Sequence, residues 1–522
     1  MGSRDGAHTL GRWIADRARL APDRVAVVDR GVPLNYDRMH ARVEALATNL
    51  AEAGHRQGDR IATLTGNSSD HVVLFFACAR AGLVLVPLSW RLTFRELAEQ
   101  IAHSDPSLMV VEDEFATLGR EALASVAARV PTIPFGQAEA RGSLPKRSWP
   151  TSAGSDSLLA LSHPVGDDAP LLMVFTSGTG GAPKAAVLSH ATCWWTNLSL
   201  SRTIELSDSD VILAVLPQFH VGGWNIQPLL AWWMGATVVL ERTFDPGRAL
   251  ALIDRHQVTS MMAVPTQYLM MAEHHDFAGS ALSSLRNAVV GGAPMPAPLM
   301  RTFHAHGVAL TQGYGLTEAG PNVLCVPPDK AHQHVGAAGV PYPHVEVALA
   351  DPSTGEHLEG VATGELLVRG PGMFSGYFRD DEASAAIWRN GWLATGDVAS
   401  RDDEGYLRIV DRLRNIYISG GENVSPAEVE GVLLEHPGVA DAVVVGMLDE
   451  RWGERGVALL VRRQGIAVDD IELERHCRER LAAYKVPAEI HWVSHLPQAG
   501  LGKIARAASA RVALDLTERS SR

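Results

Sequence analysis

An α/β fold in at least two domains is what the chain predicts, and three features carry that prediction. The 522 residues exceed what a single hydrophobic core organises. Helical and strand-like patterns alternate through residues 1–170, as layered α/β architecture requires. From Ser425 to about Ala508 the order becomes helix, strand, strand, helix, a compact α+β module of domain size.

Composition narrows the class. With 46% apolar and 20% charged residues the chain reads as an ordinary globular protein. A net charge of −13 argues against a nucleic-acid partner and offers no basic surface to a membrane. Cys78, Cys193, Cys325 and Cys477 lie far apart without CxxC pairing, which argues against structural zinc or a disulfide framework and suits a reducing cytosol. The N-terminus MGSRDGAHTLGRW has no apolar signal core, and Gly6 stands where a myristoylation site needs Ser or Thr. The most apolar runs, Val72 to Ala79 and Leu229 to Leu240, are too short to span a bilayer. The expectation is a cytoplasmic protein without a membrane span.

Taken in order, Tyr36 to Ala53 has helix spacing, with Met39, Val43, Leu46 and Leu50 on one stripe. Arg60 to Leu64 reads as a strand, and Gly66-Asn67-Ser68-Ser69-Asp70 supplies loop and cap before an apolar helix. Leu83 to Pro87 is a further buried-strand candidate. Residues Thr132 to Asp168, richer in Gly, Pro and Ser, read as a connection across the surface.

The stretch Leu171 to His190, LLMVFTSGTGGAPKAAVLSH, then opens with an apolar run that fits a buried strand. It continues through Thr176, Ser177, Gly178, Thr179, Gly180 and Gly181 to Pro183-Lys184. Glycines let backbone N–H groups approach oxyanions, hydroxyls donate hydrogen bonds, and a lysine adds a point charge, so the string suits a polyphosphate. A Walker loop is excluded, because Pro183 precedes the lysine, Ala185 follows it, and proline disfavours helical geometry in Ala182. A dinucleotide GxGxxG fingerprint also fails for want of a third glycine. Loop composition by itself leaves an ordinary Gly/Ser turn open.

Further segments place glycines beside polar groups. Leu216 to Trp224, LPQFHVGGW, sets two glycines near an aromatic and an imidazole, although His220 alone reads as an ordinary loop or core histidine. Val289 to Pro296 (VVGGAPMP) and Thr311 to Gly320 (TQGYGLTEAG) put glycines after apolar runs, as strand exits at the carboxyl edge of a sheet do. Thr363 to Tyr377 alternates with period two between glycine breaks and predicts strands. Trp392 to Ala399 delivers Asp397 in a TGD turn. Asp411 to Glu430, DRLRNIYISGGENVSPAEVE, runs from a charged junction through a strand at Ile416 to Ser419 and a Gly-Gly turn into a helix. That helix has Ser425 as cap and Pro426 in its first turn. Strands at Ala442 to Val445 and Ala458 to Val461 and a helix at Asp470 to Ala482 complete the module, followed by LPQAGLGKIAR, Leu496 to Arg506.

Together these segments resemble the adenylate-forming superfamily of acyl-CoA synthetases, adenylation domains and luciferases, and most nearly its fatty- and aryl-acid CoA ligases. TSGTGGAPKAAVLSH looks like the family's phosphate loop, with Gly180 in place of a usual threonine and Ala185 in place of a usual glycine. Asp411 to Glu430 resembles its hinge segment, with Asn415 where aspartate is common. Leu496 to Arg506 resembles its terminal lysine segment. Val86 to Leu97 and Tyr484 to Pro487 resemble two further segments, and the five main matches follow the family's order from residue 171 to residue 506.

The resemblance implies a large α/β-layered N-terminal domain (1–411) binding ATP and the acyl acid. A hinge joins it to a small mobile α+β domain (412–522) that carries the catalytic lysine. It implies that a carboxylic acid is converted by ATP and Mg²⁺ to an acyl-adenylate with release of pyrophosphate, and that the acyl group then passes to coenzyme A. Catalytic roles would fall to Lys503, Lys184, Glu318 and Thr176. ATP would be bound by Thr176, Ser177, Gly178, Thr179, Lys184, Gly291, Gly292, Ala293, Gly313, Tyr314, Gly315, Thr317, Glu318, Asp397, Arg412 and Lys503, with Mg²⁺ on Glu318. His220, Trp224, Asn225, Val264, Gly291, Gly313 and Gly320 would border the acyl pocket. Gly420, Gly421, Trp452, Tyr484 and Lys485 would meet coenzyme A, and Arg414 would be the pivot. The carboxylate that amino-acid-activating relatives use against an α-ammonium is absent near His220, which disfavours an amino-acid substrate, and small residues at several pocket positions would leave room for a bulky apolar acid. A carrier-protein thiol in place of coenzyme A, adenylation alone, and a non-catalytic nucleotide-binding module stay open, as does a homodimer.

Overall fold

The computed structural model describes residues 5–127, 129–135, 164–176, 183–419, 422–449, 452–481, 483–498 and 504–520. The chain forms two compact units, Met1–Val347 with Val368–Leu393, and Ala348–Leu367 with Ala394–Arg522. The expected junction at residues 411–412 lies inside the second of these.

Two sheets organise the first unit. The larger runs in the spatial order Val340–Pro341, Leu324–Cys325, Leu310–Tyr314, Asn287–Val290, Ser260–Ala263, Val211–Ala214, Thr237–Leu240, Val25–Asp29, Val32–Asn35. Its six central strands are parallel, and its edge pairings are antiparallel. The other sheet runs Gly376–Tyr377, Lys184–Ser189, Pro170–Thr176, Val84–Pro87, Arg60–Leu64, Leu108–Glu112, Thr132–Phe135. Thr132–Phe135 is thus a paired strand, where the sequence predicts only connection; residues 136–163 lie outside the described residues.

Successive residues of these strands enter different cores, because strand side chains alternate between faces. Val27, Ile212 and Val238 of the first sheet share one core with Ile61, Leu85 and Val110 of the second, while Leu213 and Val239 face a second core and Ala62, Val84 and Met109 a third. The shared core holds helices Tyr36–Glu52, Ser69–Ala81 and Pro228–Met234, so a helical layer fills the space between the sheets. Burial on both faces is why the strands read as apolar runs rather than as alternating ones. Helix Ser69–Ala81 is buried from His71 through Ala79, which explains its apolar character on every side. Ser68 caps it by accepting from the His71 N–H. No helix among the described residues is long and apolar enough to cross a membrane.

In the second unit, strands Glu422–Val424, Tyr417–Ser419, Gly453–Arg462 and Val439–Asp449 form an antiparallel sheet, and Glu489–Val493 adds to Gly453–Arg462 in parallel. Helices Pro426–Leu434 and Asp470–Arg478 cover one face around Val429, Leu433, Leu473 and Cys477. Helix Arg506–Ser520 covers the other around Ala513. The strands here are longer than their apolar cores suggest, since both run outward into charged residues at Asp449 and Arg462.

Candidate active site

Four parallel neighbours of the larger sheet release their carboxyl ends at one edge, where ligands of open α/β sheets bind. From Leu310–Tyr314 the chain passes to Gly315 and a single 3₁₀ turn, Thr317–Ala319, that carries Glu318 and is closed by Gly320. From Asn287–Val290 it enters Gly291-Gly292-Ala293, from Ser260–Ala263 it enters Val264, and from Val211–Ala214 it enters the segment holding His220. The glycines are required locally: a Cβ on Gly315 would lie 1.4 Å from the Pro321 carbonyl oxygen, and Gly292 has φ +78°.

In the other sheet of this unit, Pro170–Thr176 turns back antiparallel into Lys184–Ser189 with Thr176 opposite Lys184. The Thr176 hydroxyl donates to the Lys184 carbonyl at 3.4 Å, so both residues stand at the mouth of the connecting loop. Ser177, Gly178 and Thr179 lie outside the described residues. The outer strand Gly376–Tyr377 pairs with Val187 and Ala186 and brings Tyr377 beside the lysine. Lys184 Nζ is 5.1 Å from the Tyr377 ring centre, and the Tyr377 O–H donates to Glu318 Oε1 at 2.7 Å. The Phe374 N–H donates to the Glu318 carbonyl at 2.9 Å. Burial, and then the Glu318 charge, push the Tyr377 phenol well above its ordinary range, so it stays a donor. A half-buried carboxylate oriented by a phenol and lying near a lysine is a donor set that fits a phosphate-bound Mg²⁺, which takes one or two carboxylates and keeps its waters.

Beside this edge lies a small apolar cluster of Leu216, Met262 and Val289, against which Ile226 and Val264 pack. His220 is half-buried, its ring 4.7 Å from that of Phe219. Trp224 and Asn225, expected at the acyl pocket, are core residues instead. Trp224 is fully buried, stacked on Phe75 at 4.6 Å, with its indole N–H donated to the Gln218 carbonyl at 2.6 Å. Asn225 accepts from Asn197 at 3.3 Å and donates to Cys193 Sγ at 3.5 Å. The one-turn helix Gly222–Asn225 rotates both side chains inward and leaves Gly222, Gly223 and Ile226 on the cavity side.

The second unit holds a separate group. Asp397 and Arg412 are partners across antiparallel strands, and Arg412 Nε lies 3.0 Å from the buried Asp397 carboxylate. Burial, and then the nearby Arg412 charge, lower the pKa of the Arg414 guanidinium. The Asn415 amide donates to Asp411 Oδ1 at 2.9 Å, a bond that the aspartate common at this place would not donate. Asp411 Oδ2 in turn accepts from Ser425 Oγ and the Ala427 N–H at 3.0 and 2.9 Å, tying the junction to helix Pro426–Leu434. Lys485 is engaged with Glu428 at 2.7 Å, whereas Trp452 and Tyr484 are exposed. Gly420, Gly421 and Lys503 lie outside the described residues. The ends that flank Lys503 are fixed: Gln498 bridges Ile504, and Arg506 clasps Glu430 through two bonds of 2.7 and 2.9 Å.

Tyr377 is the residue that sequence reasoning passes over. Its local signal is an aromatic directly after Gly376 at the end of an alternating segment. Nothing local says that it pairs beside Lys184.

The family model described as AMP-binding enzyme matches residues 14–378, and the model described as AMP-binding enzyme C-terminal domain matches residues 428–503. Feruloyl-CoA synthase from Amycolatopsis sp is 40% identical over 95% of this chain and 97% of its own length. Indoleacetate–CoA ligase from Aromatoleum aromaticum is 38% identical over 95% and 96%. The structure of o-succinylbenzoate CoA synthetase from Bacillus subtilis, in complex with its acyl-adenylate intermediate, is similar with a TM-score of 0.83 and 30% identity. That match covers 95% of this chain and 97% of the other.

Proposed function

Because the chain belongs to the AMP-binding enzyme family, we infer that it activates a carboxylic acid with ATP and passes the acyl group to coenzyme A. The observation that carries this reading is the meeting of Lys184 and Glu318 at Tyr377, a cation and a carboxylate joined through one side chain.

An oxygen of the acid attacks the α-phosphorus of ATP in line; the new P–O bond forms as the bond to the β-phosphate oxygen breaks, and pyrophosphate leaves with that electron pair. Bound Mg²⁺ supplies charge neutralisation at the phosphates, with Glu318 as the residue to hold it. Lys184 and Thr176 bind the β- and γ-phosphate oxygens, with Ser177, Gly178 and Thr179 supplying further donors. Gly291 to Ala293 and Gly313 to Gly315 flank the adenine with Tyr314, and Thr317 lies near the phosphates. Asp397 accepts the ribose hydroxyls, with Arg412 beside it. Lys503 aligns the carboxylate against the α-phosphate. In the second half-reaction the sulfur of coenzyme A attacks the acyl carbon, AMP leaves with the C–O electron pair, and the thiol proton is released to solvent. Residues 412–522 act as the mobile domain, with Arg414 as pivot and Gly420, Gly421, Trp452 and Tyr484 on the side of the thiol. Lys485, held by Glu428, orders that surface.

The substrate proposed is an aromatic acid. The names of the feruloyl and indoleacetate relatives support this, as does the apolar cluster of Leu216, Met262 and Val289 at the strand ends. The cytoplasm is the proposed compartment, where the four buried free cysteines stay reduced. The test is acid-dependent ATP–pyrophosphate exchange over a panel of aryl, fatty and polycyclic acids, followed by AMP release with and without coenzyme A. Exchange with an aryl acid, its loss in Lys503→Ala by about a hundredfold or more, and thioester formation are expected. Exchange without thioester would move the second half-reaction to another acceptor.

A further inference from the structure

Gln227 is fully buried, 1% exposed, and neither its amide oxygen nor its amide nitrogen has a hydrogen-bond partner among the described residues. Buried polar groups are nearly always paired, so a side chain with both ends unpaired asks for a ligand. Its surroundings agree. Gln227 lines a cavity with Gly222, Gly223 and residues Ile212 to Val215, and the cavity shares Leu216, Ile226 and Met262 with the apolar cluster. The cavity has room for about one water-sized group.

The backbone at this residue is also unusual. Gln227 has φ +73° and ψ −52°, uncommon for any residue with a side chain and further disfavoured by Pro228, which follows it. Its carbonyl starts helix Pro228–Met234 by accepting from the Ala231 N–H at 2.8 Å, yet its amide caps nothing, as the side chain in this position usually does. Strain held at a place where the side chain has no structural task is a mark of function.

We propose that the Gln227 amide selects for a hydroxyl on the aromatic ring of the acid, at the end remote from the carboxylate. A hydroxyl is small enough for the space and is able both to donate to Oε1 and to accept from Nε2. The proposal rests on the aryl-acid reading above. Gln227 is a specificity residue here and takes no part in the chemistry at phosphorus.

The test compares cinnamic acid with its 3-hydroxy and 4-hydroxy derivatives in pyrophosphate exchange, for the wild type, Gln227→Leu and the length-preserving Gln227→Met. In the wild type, kcat/KM for one hydroxylated acid should exceed that for cinnamic acid by about tenfold or more. In both variants that ratio should fall to within about threefold of unity, and retained exchange with cinnamic acid shows an intact fold and machinery. A ratio that survives in either active variant overturns the proposal. So does a wild type that turns over cinnamic acid as well as both hydroxylated acids, which would leave an internal water as the partner of the amide. Exchange with no aryl acid at all, but with a fatty acid, would overturn the substrate reading and this inference together.

Discussion

Replacing Tyr377 by phenylalanine removes one oxygen and separates two contacts that meet at this ring. The O–H donated to Glu318 at 2.7 Å is lost, while the aromatic face 5.1 Å from Lys184 Nζ is kept. A hydrogen bond to a charged acceptor contributes about 1.5–3 kcal/mol. Glu318 is half-buried and water can reach it, so the low end applies, about 1.5 kcal/mol, or roughly a tenfold effect. If that bond orients the carboxylate for Mg²⁺, the loss appears as a rise of about tenfold in the Mg²⁺ concentration needed for half-maximal exchange. Calorimetric titration of Mg·ATP into the variant should show a matching loss of affinity, which is independent of turnover. Tyr377→Leu should lose the same bond and about 0.5–1 kcal/mol more, because a lysine over an aromatic face is stabilised by that amount at a part-exposed site. The reasoning is refuted if Tyr377→Phe binds Mg·ATP like wild type, or if phenylalanine and leucine lower exchange equally.

Three other expectations can be checked on the same protein. Asp397→Asn should raise the ATP KM by about tenfold with little change in stability, because Arg412 is half exposed and such pairs contribute about 1 kcal/mol or less to folding; an unchanged ATP affinity would remove Asp397 from the ribose site. Acid should destabilise the first unit through His71 and His190, whose burial lowers both pKa values from 6.5 to about 4. His71 is satisfied as the neutral ring, with Nδ1–H donating to Gln218 Oε1 at 3.1 Å and Nε2 facing Thr63 Oγ1 at 3.0 Å. A depressed folded pKa means that the unfolded chain binds more protons, so this stability is present above pH 6.5 and is lost as the pH falls toward 4. At pH 5 the loss is about 2 kcal/mol for each histidine; urea unfolding with equal free energy at pH 7.5 and pH 5 would contradict it. Finally, Arg506→Met strands the buried Glu430 carboxylate, whose pKa burial already raises, and should cost the second unit about 3 kcal/mol; a thermal midpoint unchanged from wild type would show that the clasp beside the Lys503 segment carries no such energy.

What the sequence made legible is what local chemistry decides. Tyr36 to Ala53 has helix spacing and forms helix Tyr36–Glu52; Ser68 and Ser425 are cap residues and both accept from the N–H three residues on. Pro183 before Lys184 rules out a helix there, and Lys184 begins a strand. The candidate site was less readable because its contacts are set by pairing at a distance. Tyr377 reaches Lys184 and Glu318 only because Gly376–Tyr377 adds to the outer edge of Lys184–Ser189, a pairing between segments some 190 residues apart in the chain. Resemblance implies roles for Lys184 and Glu318, but it could not show that a phenol joins them.

The same limit explains Trp224, Asn225 and Gln227. A motif names the segment that borders a pocket, whereas the rotation of a one-turn helix decides which of its side chains faces that pocket. At about 100° per residue, a shift of one position exchanges core for cavity. Here the bulky indole fills the core against Phe75, and the two glycines that precede it leave the cavity open. The next turn then sets down an amide that neither caps its helix nor pairs with its neighbours. Had Trp224 faced the cavity, its ring would have filled the water-sized space beside Gln227. The inward rotation therefore does two things at once, closing the core and leaving a small cavity with the unpaired Gln227 amide at its wall. A polar group so placed discriminates between acids of the same shape, which an apolar pocket alone does poorly.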